Sequence, residues 1–168
     1  AHRVEYWGRE ARFEFFAADG PTALVSALST RFGRQPPLPD WAIGGAILAL
    51  KSGAFSFDRM ERFVAAGAAI SGLWCEDWAG VRETSFGRRL FWDWTGGARS
   101  EQRYPELRAR IAGLAERGIR FLAYANPYLA VDGSLYEQAK ADGYFCLRQD
   151  GDDVYLVDFG EFDCGVLD

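Results

Sequence analysis

Between Ser71 and Trp94 the chain reads SGLWCEDWAGVRETSFGRRLFWDW. The apolar opening ends in two carboxylates, Glu76 and Asp77. Three arginines (Arg82, Arg88, Arg89) and three tryptophans (Trp78, Trp92, Trp94) follow within the same stretch. An apolar strand, a polar strand end and a long decorated loop are the parts from which a barrel enzyme builds a binding site. Two adjacent carboxylates suggest an acid/base pair, but strand geometry argues against it. Neighbouring residues on a strand project to opposite faces, so Glu76 and Asp77 cannot both face one substrate. Asp77 is therefore expected to be structural, as a partner of Arg88 or Trp78. The single histidine, His2, lies in the amino-terminal tail and is assigned no catalytic role.

The elements that must position these residues follow from periodicity. Val4, Tyr6, Phe13, Phe15 and Ala17 alternate in part with charged residues and predict β-structure over 1–19. Asp19-Gly20-Pro21 reads as a turn, and Ala23 to Phe32 as a helix stopped by Gly33. The run Gln35-Pro36-Pro37-Leu38-Pro39 is a stiff linker, so a domain boundary is expected there, between 1–34 and 35–168. Beyond Asp40, strand and helix alternate. Predicted strands are Ala42–Leu50, Ile70–Cys75 and Ile119–Ala125. The intervening helices are capped at Ser56 and opened by Pro105 at the first helical position. Ser134 and Glu137 have capping-box spacing. Gln149-Asp150-Gly151-Asp152 marks a hairpin between Phe145–Leu147 and Val154–Val157. The segments AAGAAISGLW, ERGIRFLAY and ADGYFCLR echo one another as helix end, glycine, apolar strand. Alternating β/α units imply parallel strands. An open doubly wound sheet and a (β/α)8 barrel both fit. No glycine-rich phosphate loop follows the first strand, and the long segments after the strand ends favour the barrel. A full barrel takes roughly 250 residues; about three β/α units are visible here.

Composition narrows the function classes. The 168 residues are 49% hydrophobic and 15% aromatic, enough for a sizeable core, and carry a net charge of −5. With no basic excess to neutralise phosphates, nucleic acid is not an expected partner. No apolar run approaches the ~18 residues of a membrane span, so no membrane partner is expected. The three cysteines, Cys75, Cys146 and Cys164, have no CxxC spacing. Neither a metal site nor a disulfide framework is expected, and a cytoplasmic location fits. Oligomeric state is not readable.

The segments QPPLPDW, GLWCEDWAG, TSFGRRLFWDW, RYPELRARIAGLAERGIRFLAYANPYL and YLVDFGEF together resemble glycoside hydrolase family 31, and more narrowly its sulfoquinovosidase branch. The likeness runs from Ala23 to Asp168. Residues 1–19 resemble, less specifically, the tail of the β-sandwich that precedes the family's barrel. The resemblance implies a partial (β/α)8 barrel and retaining hydrolysis of α-sulfoquinovosides, such as those derived from sulfoquinovosyl glycerol or diacylglycerol, without a cofactor. It implies an aspartate nucleophile and an aspartic acid/base, both beyond Asp168, so that no catalytic residue lies in this chain. Asp158-Phe159-Gly160-Glu161 mimics the nucleophile motif but closes the Asp-Gly hairpin, before the expected fourth strand. The family alternative is an α-glucosidase or α-xylosidase acting on a neutral sugar. A different class is a non-catalytic sugar-binding module.

The resemblance also implies a substrate-binding set of Lys51, Glu76, Arg89 and Trp92, with a tyrosine expected downstream. By pattern alone Arg89 and Lys51 read as solvated cations and Trp92 as a core aromatic; the resemblance reverses each. A sulfonate is a permanent monoanion. Arg89 offers a planar donor fork, and Trp92 an indole N–H on a flat wall. Three residues apart in a loop or helical turn, they are expected to converge on one anion. Lys51 and Glu76, at the carboxyl ends of adjacent strands, would bind sugar hydroxyls. Asn126 and Tyr128, at the third strand's end, are further pocket candidates without an assigned role.

Overall fold

A computed structural model describes residues 3–168. His2, read above as non-catalytic, lies outside the described residues. The chain divides into two compact units, Ala1–Leu38 and Pro39–Asp168. The first holds helix α1 (Pro21–Phe32). Glu14 receives Nε and Nη2 of Arg31 at 2.7 Å each, and Phe16 packs on Phe32. The expected strand over 1–19 is not formed among the described residues. Alternation makes a strand only where a neighbour completes its ladder. Among the described residues no strand pairs with this segment, and Trp7 and Phe15 stand exposed.

The second unit is an α/β fold. Helix α2 (Asp40–Ile43) leads into β1 (Ala46–Leu50), α3 (Phe55–Ala65) and β2 (Ile70–Cys75). The hairpin β3 (Val81–Thr84) and β4 (Gly87–Leu90) follows, then α4 (Ala98–Arg103), α5 (Leu107–Glu116) and β5 (Arg120–Ala123). Next come β6 (Tyr128–Ala130), α6 (Tyr136–Ala141), β7 (Leu156–Asp158) and β8 (Asp163–Val166). Strands β1, β2 and β5 form a parallel sheet in that order. Leu73 and Cys75 point from the sheet into a core with Phe57 and Met60 of α3, Leu107 and Leu114 of α5, Tyr104 and Ile119; Leu48, Leu50 and Phe121 pack against it. The opposite sheet face carries Ile47 and Trp74, both partly exposed. There a side chain at Gly72 would be crowded, because a Cβ would meet Leu122 at 3.1 Å and Ile47 at 3.2 Å. The echoed glycines Gly67, Gly118 and Gly143 all have positive φ, 73–86°, which ends each helix cheaply. The first two lead into parallel strands. The third leads to Phe145, which bridges Leu167 in antiparallel fashion.

Strands β6, β8 and β7 form an antiparallel sheet. The predicted Asp150-Gly151 turn lies between Leu147 and Val154, which bridge as expected.

Several local expectations are corrected. The predicted strand Ala42–Leu50 begins as helix α2. Ser56 lies inside α3 rather than capping it, with its hydroxyl accepting from Ser52 N at 3.1 Å. Pro105 precedes α5, whose N-cap is Glu106. Ser134 does not cap α6; it donates to Asp93, whose other oxygen takes Leu135 N at 3.0 Å. A buried carboxylate from a distant segment thus takes the Ser134 hydroxyl and the amide that leads into α6.

Candidate functional site

The site starts from strand register. Leu50 is the last residue of β1 and pairs with Cys75, the last of β2. The next residues out are Lys51 and Glu76, and they meet, Nζ to Oε2 at 3.3 Å. Their side chains are 73% and 34% exposed, so the pair contributes little to stability but stays open to a ligand. The expected separation of Glu76 from Asp77 holds, by a different route. Both lie in the turn after β2, and Asp77 turns inward.

Asp77 is 2% exposed. Its Oδ2 receives Arg103 Nε at 2.7 Å and Nη2 at 2.6 Å, and its Oδ1 accepts the Tyr104 hydroxyl. Arg88 and Trp78, its expected partners, are engaged elsewhere. Arg88 pairs with Glu83, and Trp78 Nε1 donates to the Tyr124 carbonyl at 2.7 Å. Burial, then the bond to Asp77, raises the Tyr104 pKa above its usual 10. Burial likewise pushes the neighbouring Cys75 thiol up to about 11. Arg103 also donates to the Lys51 carbonyl at 3.2 Å, and its own carbonyl accepts Ala54 N at 3.0 Å. The network is therefore a plinth under Lys51.

The segment read as a loop contains the β3–β4 hairpin. A cleft of about 330 Å³ opens between it and the strand ends, lined among others by Lys51, Glu76, Asp77, Arg88, Arg89 and Arg103. Four of these six are cations and two are carboxylates, so the cleft is net positive in a chain of net charge −5. Lys51 is paired with Glu76, Arg103 with Asp77 and Arg88 with Glu83. Among the described residues Arg89 alone of these cations has no carboxylate partner. It donates to the Arg88 carbonyl at 3.2 Å and stands 4.8 Å over the Phe86 ring.

Trp92 lies outside that lining. Arg89 sits on an extended strand and Trp92 two residues past its end, so the two do not converge as residues on one helical turn would. Trp92 instead stacks on Tyr128 (5.3 Å, 25°) and meets Phe159 edge-on at 4.8 Å. Its Nε1 is buried without an acceptor, which is costly unless something else supplies one. Asn126 holds Tyr128 in place, its Oδ1 accepting Tyr128 N at 3.0 Å. Asp158 ends β7, and its Oδ1 accepts Gly160 N at 2.6 Å in a tight turn. Glu161 accepts Ser85 N at 2.8 Å, and hydrogen bonding to the Ser85 side chain and then to its amide lowers the Glu161 pKa. The DFGE motif is thus occupied with turn formation. Asp77 is structural, as expected, and the structure adds Arg103 and Tyr104 as its supports. Only their polarity inside apolar surroundings could have marked them in the sequence.

No family model matches the chain. It is 58% identical over 167 residues to a sulfoquinovosidase of Agrobacterium fabrum, covering 99% of this chain and 24% of that protein. It is 39% identical to the sulfoquinovosidase of Escherichia coli, again over 99% of this chain and 24% of the relative. A solved structure, a GH31 family sulfoquinovosidase from E. rectale in complex with the aza-sugar inhibitor IFGSQ, superposes with a TM-score of 0.76 at 46% identity. That match covers 86% of this chain and 21% of the other. The chain is thus similar over nearly its whole length to sulfoquinovosidases, and the solved one among them is a GH31 family enzyme. It spans about a quarter of the length of the curated relatives it matches. No helix among the described residues is long and apolar enough to cross a membrane.

Proposed function

We propose that this chain is the anion-reading part of a retaining α-glycosidase that hydrolyses α-sulfoquinovosides. In this reading β1–α3–β2–α5–β5 forms the first units of a (β/α)8 barrel, with the cleft at the carboxyl ends of its strands. Residues 35–168 belong to that barrel, and residues 1–34 are the end of a β-sandwich domain with its linking helix. Arg89 and the Trp92 indole N–H hold the sulfonate. Lys51 and Glu76 hold sugar hydroxyls. An aspartate nucleophile and an aspartic acid/base from outside Ala1–Asp168 perform attack, formation of a glycosyl-enzyme and its hydrolysis. This chemistry needs only carboxylates and water. The free thiols Cys75, Cys146 and Cys164 suit a reducing cytoplasm.

The observation that carries the proposal is charge pairing in the cleft. Each neighbouring cation is matched by a carboxylate, while Arg89 is left for an anion that the ligand brings. The unpaired N–H of Trp92 supplies a second donor in search of an acceptor.

The test is Arg89→Met in the full-length enzyme, comparing kcat/KM for aryl α-sulfoquinovoside and aryl α-glucoside. A charge-assisted contact of about 1.5–3 kcal/mol predicts a fall of roughly 10- to 150-fold in the preference for the sulfonated sugar. An unchanged preference sinks the assignment in favour of a neutral-sugar glycosidase.

A further inference from the structure

Arg82 belongs to none of the roles above, yet it is the most enclosed of the hairpin arginines, with a side chain 13% exposed. Its guanidinium lies between two rings, 4.6 Å from the Phe91 centroid and 4.1 Å from that of Phe162. Its two terminal nitrogens form a fork on Asp132, Nη2 to Oδ1 at 2.7 Å and Nη1 to Oδ2 at 3.4 Å. Planar stacking and a bidentate carboxylate contact together demand arginine; lysine offers a point charge and no plane.

Its connections are specific. Across the hairpin, Arg82 is the register partner of Arg89. On its other side, Phe162 meets Trp92 edge-on, at 6.0 Å and 72°. Phe91 is the residue before Trp92 and is itself buried, with its amide bonded to the Gly80 carbonyl at 3.0 Å. Asp132 lies just beyond β6, whose Tyr128 stacks on Trp92. Arg82 is therefore tied through its backbone to the strand that carries Arg89 and through its side chain to the aromatic cluster that carries Trp92. These are the two elements whose separation local geometry leaves open. The hairpin is not part of the parallel sheet, and its tip is tied separately, by Glu161 to Ser85 N.

We propose that Arg82 is a positioning residue of the anion site, fixing the Arg89 hairpin against the Trp92 cluster so that both donors reach one sulfonate. The inference rests on the reading of Arg89 and Trp92 as the sulfonate donors. It assigns Arg82 no contact with substrate. Its effect is to remove the cost of ordering an exposed arginine and a buried indole relative to each other when the ligand arrives.

The experiment measures kcat and KM of the full-length enzyme on aryl α-sulfoquinovoside and aryl α-glucoside, for wild type, Arg82→Met, Arg82→Lys, Asp132→Asn, Arg89→Met and the Arg82→Met/Arg89→Met double variant. Methionine keeps apolar volume between the rings and removes the fork. The expected result for Arg82→Met is a KM for the sulfonated substrate raised about tenfold, ~1.4 kcal/mol, with kcat changed less than about twofold. The preference for the sulfonated sugar falls by the same factor. Arg82→Lys recovers part of it, and Asp132→Asn shifts it in the same direction. In the Arg89→Met background Arg82→Met has no further effect on preference, as expected of two residues acting through one contact. Equal losses on both substrates make Arg82 a general packing residue and overturn the proposal, as does an undiminished preference. If Arg82→Met does not fold, Asp132→Asn, which leaves the guanidinium between its rings, decides by the same ratio. A wild-type enzyme without preference for the sulfonated sugar brings down the sulfonate reading itself, before any Arg82 variant is compared.

Discussion

Replacing Asp77 by alanine tests the claim that a buried network supports the Lys51 corner. Asp77 is 2% exposed and holds three donors: Arg103 Nε at 2.7 Å, Arg103 Nη2 at 2.6 Å and the Tyr104 hydroxyl. Breaking a buried pair by removing one partner costs about 3–5 kcal/mol. The Arg103 side chain is 21% exposed, so water reaches the abandoned cation and the cost falls toward the lower end, about 3 kcal/mol. Tyr104 adds to it, because its hydroxyl is left with only Ser56 Oγ, 3.4 Å away. Asp77→Asn keeps an acceptor for Tyr104 and removes the charge, so about 2 kcal/mol is expected. Urea denaturation followed by tryptophan fluorescence reads both, with an unchanged m-value marking a pure stability effect. The Asp77→Ala/Tyr104→Phe double variant should lose clearly less than the sum of the single losses. A loss below about 1 kcal/mol for Asp77→Ala would refute the reasoning, since the network would then be no better than an exposed ion pair.

Two further outcomes concern titration. Burial holds the Cys75 and Cys164 thiols up at about 11, so at pH 8 iodoacetamide should label Cys146, which is partly exposed, and spare the other two until the protein unfolds; peptide mass mapping reads this. The Tyr104 pKa is raised from 10. Its contribution to stability is therefore complete below pH ~10 and is lost as the pH rises from there toward the folded-state value. The urea midpoint of the wild type should fall more steeply above pH 10 than that of Tyr104→Phe; parallel declines would exclude Tyr104 as the cause.

The parts of the fold written as long, regular patterns were legible. Ile70–Cys75 is a strand in the sequence and in the structure, because six consecutive apolar or small residues between turn signals leave little alternative. Lys51 and Glu76 could be placed at strand ends for the same reason. The β3–β4 hairpin was hidden because its strands are charged and its turn, Ser85-Phe86, lacks the usual Asn-Gly or Asp-Gly signal. Alternation over residues 4–17 suggested strands, but pairing is a property of two segments and not of one. Ser134 and Glu137 have capping-box spacing, yet the Ser134 hydroxyl is taken by Asp93, 41 residues before it. Nor could spacing show Arg82 to be the enclosed arginine and Arg89 the exposed one. That division depends on Phe162 and Asp132, far along the chain.

The pairing of β1 with β2 carries one irregularity. Ala46 pairs with Ile70 but Ile47 pairs with Gly72, so Ser71 is passed over. Its hydroxyl donates to the Gly45 carbonyl at 2.9 Å. This single skipped residue sets the phase of everything downstream. With it, Ile47, Ala49 and Lys51 share a face with Gly72, Trp74 and Glu76. Flattened, the same strands would bring Lys51 level with Cys75 and turn Glu76 toward the helices. The polar pair at the mouth of the cleft is thus dialled by a one-residue offset at the far end of the strands, so substitutions around Gly45 and Ser71 would shift the Lys51–Glu76 pair without touching either residue.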